Sequence, residues 1–204
     1  RHINRLTTWF SKWRIKINTE KTDAIIFTRR YPRDITRLTI NNRPLDYKDN
    51  VKYLGITMDK KLTFHKHVKQ TRAKATQRLR QLFPVLTTNK LTLKQKITLY
   101  RSLIQPILLY ASPAWGHAAE YIINMLQTVQ NKAARIMTGA DRYTPTAQLH
   151  EDLDMQYIAE IIKQNANKTK DIYTSHTNRL IQGIATTQIN TGLTYRTPHQ
   201  LTQH

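Results

Sequence analysis

The feature that most constrains the fold of this chain is a change of hydrophobic period near Phe64. Between Asn18 and that residue, apolar positions form short runs of β-branched and aromatic residues, such as Ala24–Thr28, which are typical of strands. After it, apolar residues recur every three or four positions, as they do in helices. The pattern predicts an α+β chain, in which a small antiparallel β unit precedes an α-helical bundle.

The first residues have the spacing of an amphipathic helix that ends before Asn18. Leu6, Trp9 and Trp13 lie on one stripe of this helix together with Phe10. Large apolar side chains on one stripe favour packing in a core over stacking on bases. The chain starts at residue 1 inside this helix, so we expect it to be a fragment of a longer protein.

Strand structure is predicted in three places before the change of period. Ala24–Thr28 has the composition of a buried strand. Asn41-Asn42 tolerates positive φ, so the apolar runs on either side of it are expected to form a hairpin. The third place is a strand that begins at Val51. Gly55 lies inside that strand, where a glycine marks a bulge or the close approach of another backbone or a ligand.

The remaining periodic segments predict a succession of helices and a polar tail. The expected helices run from Phe64 to Pro84; from Thr92 to Pro113, with a kink at Pro106; from 121 to 138, capped by Gly139; and over two shorter stretches opened by Thr144-Pro145 and capped by Asp154. Residues 176–204 are rich in Thr, Gln and Asn, which predicts a disordered tail. We therefore divide the chain into residues 1–60, 61–175 and 176–204.

The charge of the chain is strongly positive. It has 33 Lys and Arg against 13 Asp and Glu, a formal net charge of +20. Nucleic acid is the first candidate partner for such a chain, and an anionic membrane surface is the second. No apolar run is long enough for a spanning helix, so membrane attachment is not expected. A module that binds only proteins would need a strongly acidic partner. The lack of cysteine excludes disulfides and thiol nucleophiles.

The positive charge is concentrated in the first long predicted helix. Residues 60–119 contain 12 basic side chains and no acidic one. Six of these cations fall within this helix: Lys66, Lys69, Arg72, Lys74, Arg78 and Arg80. A run of charges is usually a solvated face, but solvated faces mix signs and this one does not. The helix is therefore predicted to follow a phosphate backbone, without any residue that reads bases.

No metal site is expected from the residue pattern. His65 and His67 diverge by about 200° on a helix and have no evident third ligand. His67 is instead expected to pack or to form a hydrogen bond at the helix start. The adjacent acids Glu151-Asp152 have the position of helix caps, and Asp46 and Asp49 fall in a loop. For Tyr110 and Trp115 a core position is favoured over the alternative role of stacking platforms for single strands.

An ordered series of short motifs resembles the reverse transcriptases of non-LTR retrotransposons, jockey-like elements especially. The series comprises Trp9, Trp13, Ile15-Lys16-Ile17-Asn18, Lys21-Thr22, Phe27, Tyr53-Leu54-Gly55-Ile56, Leu62-Thr63-Phe64, His67, Pro106-Ile107-Leu108, Tyr110-Ala111-Ser112, Trp115, Gln130-Asn131-Lys132, Arg135-Ile136 and Gly139. It covers roughly residues 3 to 165. The resemblance implies that residues 1–60 are the end of a polymerase palm and residues 61–175 a helical thumb.

The resemblance also implies roles for particular residues. Lys21 matches the lysine of polymerase motif D, which approaches the leaving pyrophosphate. Tyr53, Leu54 and Gly55, followed by Ile56, resemble motif E, the primer grip, where a glycine lets backbone approach a sugar-phosphate chain. The family's Asp-Asp hairpin would lie before residue 1. We therefore expect this stretch alone to bind nucleic acid without synthesising DNA.

The complete enzyme implied by the resemblance is an RNA-directed DNA polymerase. It would use Mg²⁺ and deoxynucleotides and would hold an RNA template, a DNA primer and the rest of its own chain. Such a protein is expected in the nucleus and the cytoplasm. The alternative is a non-enzymatic, basic helical nucleic-acid-binding protein derived from a transposon.

Overall fold

The computed structural model describes residues 2–28, 37–40 and 43–186. The elements of this part of the chain are α1 (His2–Lys12), β1 (Thr39–Ile40), β2 (Arg43–Pro44), β3 (Asn50–Tyr53), β4 (Ile56–Asp59), α2 (His65–Thr87), α3 (Leu93–Leu103), α4 (Gln105–Leu109), α5 (Ser112–Trp115), α6 (Glu120–Thr138), α7 (Thr146–Asp152), α8 (Ile158–Thr174) and α9 (Arg179–Thr186). They confirm the predicted α+β class. The chain divides into two compact units, Arg1–Lys66 and His67–His204.

The first unit contains two separate antiparallel strand pairs. β1 pairs with β2, with Ile40 opposite Arg43, so the predicted pairing is confirmed. The turn residues Asn41-Asn42 lie outside the described residues. Ala24–Thr28 is not the buried strand that its composition predicted. Ala24 makes an isolated bridge to Tyr47, and Thr28 N donates to Lys60 O at 3.0 Å. Among the described residues the run forms no continuous ladder, and its side chains are half-buried or exposed.

Helix α1 forms as predicted, but its apolar stripe is not in a core. Leu6, Trp9 and Trp13 are 54%, 51% and 62% exposed. The rings of Trp9 and Trp13 lie 6.0 Å apart and cover only part of each other. Hydrophobic spacing predicts which face of a helix is apolar, but it carries no information about what covers that face.

The second unit is a helical bundle with a continuous apolar core. Its most deeply buried large side chains are Val68, Leu79, Leu86, Tyr100, Ile104, Leu108, Trp115, Ile122, Leu126, Ile158 and Ile162. Helix α8 packs against α5, α6 and α9, and α3 packs against α4 and α6. The indole N–H of Trp115 donates to the Tyr110 carbonyl at 2.8 Å, which confirms the core position predicted for Trp115. The same prediction for Tyr110 is wrong, because its side chain is exposed.

Pro84 does not end α2, which continues to Thr87. A proline lacks the N–H that would bond the carbonyl four residues back, here that of Arg80. Pro84 and Arg80 are both exposed, so water can satisfy that carbonyl. The cost is small enough for the last turn to remain helical, and the Thr87 hydroxyl bonds the Phe83 carbonyl at 2.9 Å.

The two later prolines interrupt the next helical stretch. The kink predicted at Pro106 is a break at Ile104, where α3 ends and α4 begins. Pro113 does not close this stretch as expected. It lies in the first turn of α5, a position where a missing N–H costs nothing.

A buried polar network joins α6 to the connection between α7 and α8. Gln130 is only 1% exposed and His150 is 4% exposed. The hydrogen bonds run from Gln130 Nε2 to Gln156 O (3.0 Å), from Ile158 N to Gln127 Oε1 (2.9 Å), from Gln127 Nε2 to Asn131 Oδ1 (2.7 Å), and from His150 Nδ1 to Met155 O (2.8 Å). The His150 ring also stacks on Tyr157, with ring centres 4.3 Å apart.

The chain after α6 differs in detail from the predicted helix starts. Glu151-Asp152 lie in the last turn of α7 and not at the cap position that the sequence predicted, which is occupied by Leu153. The start of α8 is capped by the Glu160 carboxylate, which accepts from Tyr157 N at 3.1 Å, while Asp154 lies in the preceding turn at φ 47°.

Helix α9 falls within the predicted tail, and residues 187–204 of that tail lie outside the described residues. Among the helices of the described ranges, none combines the length and apolar character needed to span a membrane.

We predict that Gly139→Ala lowers the free energy of unfolding by about 1 kcal/mol, because Gly139 ends α6 at φ 68°, where an L side chain is strained. Gly183→Ala is the matched control, since both glycines have open space around an added Cβ and Gly183 lies inside α9. Urea unfolding followed by circular dichroism compares the two. Equal loss of stability in both variants would contradict the role of backbone conformation at Gly139.

Candidate nucleic-acid interface

The four residues that resemble a primer grip form the end of the β3–β4 hairpin. Tyr53 pairs with Ile56, and Leu54-Gly55 is the two-residue connection between them. Both connecting residues have positive φ, 45° for Leu54 and 82° for Gly55, as a type I′ hairpin turn requires. The prediction that Gly55 lies inside a strand is therefore wrong. Gly55 is needed for its backbone conformation at the turn.

The hairpin tip presents its side chains to solvent. Tyr53 is 64% exposed and Leu54 is 72% exposed. The structure thus brings three of the predicted site residues together on one projecting turn. An apolar and aromatic tip of this kind can contact the sugars or bases of a bound strand.

Asp59, which was not among the predicted site residues, fixes the chain between the hairpin and α2. Its carboxylate accepts hydrogen bonds from Thr63 N (3.1 Å), Thr63 Oγ1 (3.0 Å), Phe64 N (2.8 Å) and Lys61 N (3.1 Å). Partial burial raises the pKa of Asp59, but these hydrogen bonds outweigh it and the pKa is lowered overall. The signal in the sequence was an acid followed four residues later by Thr, just before a helix.

The phrase Asn18–Thr22 forms a capped turn that carries Lys21. Asn18 Oδ1 accepts hydrogen bonds from Glu20 N at 3.1 Å and Lys21 N at 3.2 Å, so the asparagine caps the 3₁₀ turn Thr19–Lys21. The Lys21 side chain is exposed. Lys21 lies on this turn and the hairpin tip lies between β3 and β4. The role predicted for Lys21 and the primer-grip role predicted for the hairpin tip therefore rest on different elements.

All six predicted cations of α2 are exposed. Lys66 is the last residue of the first unit, and the other five belong to the second. We call these five residues the α2 cations: Lys69, Arg72, Lys74, Arg78 and Arg80. The buried face of the same helix carries Val68, Ala75 and Leu79, so packing of α2 in the core directs the cations outward.

The spacing of the α2 cations separates them into two rows. The first row consists of Lys69, Arg72 and Arg80, in which Arg72 follows Lys69 by three residues and Arg80 follows Arg72 by eight. Lys74 and Arg78, four residues apart, form the second row. The first row extends about 16 Å along the helix axis. The first row is thus long enough to meet more than one phosphate of a strand.

The α2 cations have no acidic residue on their own helix to neutralise them. The ion pairs found among the described residues are Lys48 with Asp23 and Lys60 with Asp49, both in the first unit. The hydrogen bond and charge of Lys60 hold the pKa of Asp49 below its ordinary value. The face of α2 therefore offers unneutralised positive charge to a polyanion.

The histidines His67 and His117 are both shielded from solvent. His67 packs edge-on against Trp115, with ring centres 5.5 Å apart, which confirms its predicted packing role. Burial lowers the pKa of His67 and the charge of Lys74 lowers it further. Burial lowers the pKa of His117 to about 4. Within the described part of the chain, no three His, Asp or Glu side chains are grouped to hold a metal ion.

The chain is similar to RNA-directed DNA polymerases of Drosophila transposons. A probable RNA-directed DNA polymerase from transposon X-element of Drosophila melanogaster is 30% identical over 97% of this chain. The corresponding protein from transposon BS of the same species is 33% identical over 86%. The RNA-directed DNA polymerase of mobile element jockey from Drosophila funebris is 31% identical over 88%.

These relatives confirm the resemblance to the reverse transcriptases of non-LTR, jockey-like retrotransposons. The chain covers 20% to 22% of the length of these three relatives. No family model matches the chain, and no solved structure matches it.

We predict that Asp59→Asn reduces the protection of the Thr63 and Phe64 amides against hydrogen exchange. Because the folded-state pKa of Asp59 is lowered, its carboxylate stabilises the folded chain above the unfolded pKa, and this stability is lost as the pH falls through the folded value. The difference in amide protection between wild type and variant should therefore be largest at about pH 6 and should vanish on acidification. Asp46→Asn, in an exposed loop, is the control. A difference that persists at low pH would contradict the role of the carboxylate.

Proposed function

We propose that this chain is the nucleic-acid-holding part of a non-LTR retrotransposon reverse transcriptase. In this proposal the first unit is the end of the palm and the second unit is the thumb. Together they would grip an RNA template and a growing DNA primer, while other parts of the polymerase carry the reacting groups. The names of the relatives support the polymerase, and the charge of α2 supports the grip.

The observation that carries the proposal is the exposed, unneutralised charge of α2. The five α2 cations stand on one rigid helix whose other face is buried in the core. Lys and Arg on a rigid element can each meet a phosphate and release its counterions, which favours binding without reading the sequence. A partner that is double-stranded or single-stranded would satisfy these cations equally well.

The hairpin tip and Lys21 are proposed to act at the primer end. Tyr53 and Leu54 would lie against the primer, and Gly55 would allow the tight turn that presents them. Lys21 would approach the leaving pyrophosphate as an acid or an electrostatic partner, for which an exposed ammonium is suitable.

Mg²⁺ is proposed for the complete polymerase, but the described carboxylates of this chain do not fit a two-metal site. Such a site needs carboxylates that converge on two ions about 4 Å apart. Asp49 is paired with Lys60, and Asp59 uses its oxygens on the turn before α2. We therefore derive no catalytic step from these residues.

We predict that replacing the first row, as Lys69→Gln, Arg72→Gln and Arg80→Gln together, weakens binding to an RNA–DNA hybrid at low salt. Each phosphate that the variant no longer neutralises should reduce the magnitude of the slope of log K against log[salt] by about 0.9. Fluorescence anisotropy at several salt concentrations measures both quantities.

The matched control removes the same number of charges elsewhere in the second unit. It combines Lys90→Gln, Lys94→Gln and Lys168→Gln, all at exposed positions outside α2. If the control loses as much affinity and slope as the first-row variant, net charge and not the α2 surface drives binding, and the proposed interface is wrong.

We also predict that this chain binds a primed template but does not extend it when supplied with Mg²⁺ and deoxynucleotides. The reason is that its described carboxylates do not form a two-metal site. A primer-extension gel, with anisotropy on the same sample to establish binding, tests this. Extension of the primer would contradict the assignment of chemistry to other parts of the polymerase. Absence of any nucleic-acid binding would contradict the proposed function itself.

A further inference from the structure

A groove between α2 and α6 combines an aromatic ring with two cations. It encloses about 270 Å³ and is lined by Thr76, Leu79, Arg80, Phe83, Lys132 and Ile136. Its floor is apolar and its rim carries the exposed cations Arg80 and Lys132. None of these lining residues is acidic.

Phe83 is a large aromatic side chain of α2 that lines this groove. This residue is 49% exposed, so it is not part of the core. It continues the first row of cations, since it follows Arg80 by three residues and Arg72 by eleven. A strand that runs along the first row would therefore reach the ring of Phe83 after Arg80. Lys132 lies across the groove on α6 and adds a second charge at this point.

We infer that this groove binds one unpaired nucleotide, with its base stacked on Phe83 and its flanking phosphates on Arg80 and Lys132. The inference rests on the proposed function, since it extends the phosphate path of α2 to a base-binding position. An aromatic face accepts any base, and a positive rim attracts the backbone that carries it. A paired base would have its faces covered by its neighbours, so the ligand is a single-stranded segment.

Charge and aromatic character together favour nucleic acid over a protein partner. An apolar peptide would use the floor of the groove but would leave Arg80 and Lys132 without anions. A base with two phosphates uses both the ring and the cations. The groove would therefore hold the strand at a point where it is unpaired.

The test compares Phe83→Leu with wild type on a single-stranded DNA of about 12 nucleotides, within the range of known single-strand site sizes, and on its fully abasic counterpart. Leucine keeps apolar packing in the groove but removes the aromatic ring. We expect Phe83→Leu to bind the normal strand about fivefold to a hundredfold more weakly, with an unchanged salt slope. The abasic strand should bind both proteins equally. Tyr121→Leu, which removes an exposed aromatic ring from α6 outside the groove, is the control and should match wild type.

Two further measurements separate stacking from charge. A 2-aminopurine placed in the strand should lose fluorescence on binding to wild type and less on binding to Phe83→Leu. Lys132→Gln should weaken binding of the normal and the abasic strand alike, and should reduce the magnitude of the salt slope by about 0.7.

Equal affinity of wild type and Phe83→Leu for the normal strand would overturn the inference while leaving the proposed function intact. Binding to duplex but not to single strands would overturn it in the same way. Failure of the first-row variant to lose affinity is the result that would instead overturn the proposed function.

Discussion

The arrangement of the second unit depends on three buried or partly buried amide side chains of α6. These amides belong to Gln127, Gln130 and Asn131 and face the connection between α7 and α8. They form hydrogen bonds with each other, with His150 and with the backbone of that connection. A buried amide without a partner costs about 1–3 kcal/mol, so these side chains accept only a narrow range of positions for α6. Lys132 follows directly in the sequence and lies on the exposed side. The inward amides thereby determine where this cation stands on the surface.

A second consequence follows from the packing of α2. The helix buries Val68, Ala75 and Leu79 and exposes its cations, so the same residues that form the core also hold the charged surface rigid. The cations remain in solvent and carry no burial penalty. Affinity for phosphates on such a surface depends on ionic strength and on the number of phosphates met, and it is indifferent to base sequence. Selectivity for a particular strand has to come from elsewhere, such as the hairpin tip.

The sequence predicted those features that depend on short-range patterns. The helix at 121–138 with Gly139 as its cap, the break near Pro106 and the basic face of α2 all follow from spacing and residue type. The turn at Leu54-Gly55 was missed, because leucine rarely adopts positive φ and the residues around it have strand propensity.

The remaining failures concern tertiary contacts. The exposed stripe of α1 and the incomplete strand pairing at Ala24–Thr28 depend on which surfaces lie against them, and spacing within an element does not report that. The groove beside Phe83 was missed for the same reason, since part of its lining comes from α6.

The α2 cations, which have no acidic residue on their own helix, also bear on folding. Like charges on one helix repel each other most at low ionic strength, and this repulsion opposes compaction. A bound polyanion removes the repulsion and favours the folded form by mass action. A polyanion that binds the α2 cations would thereby also stabilise the fold that presents them.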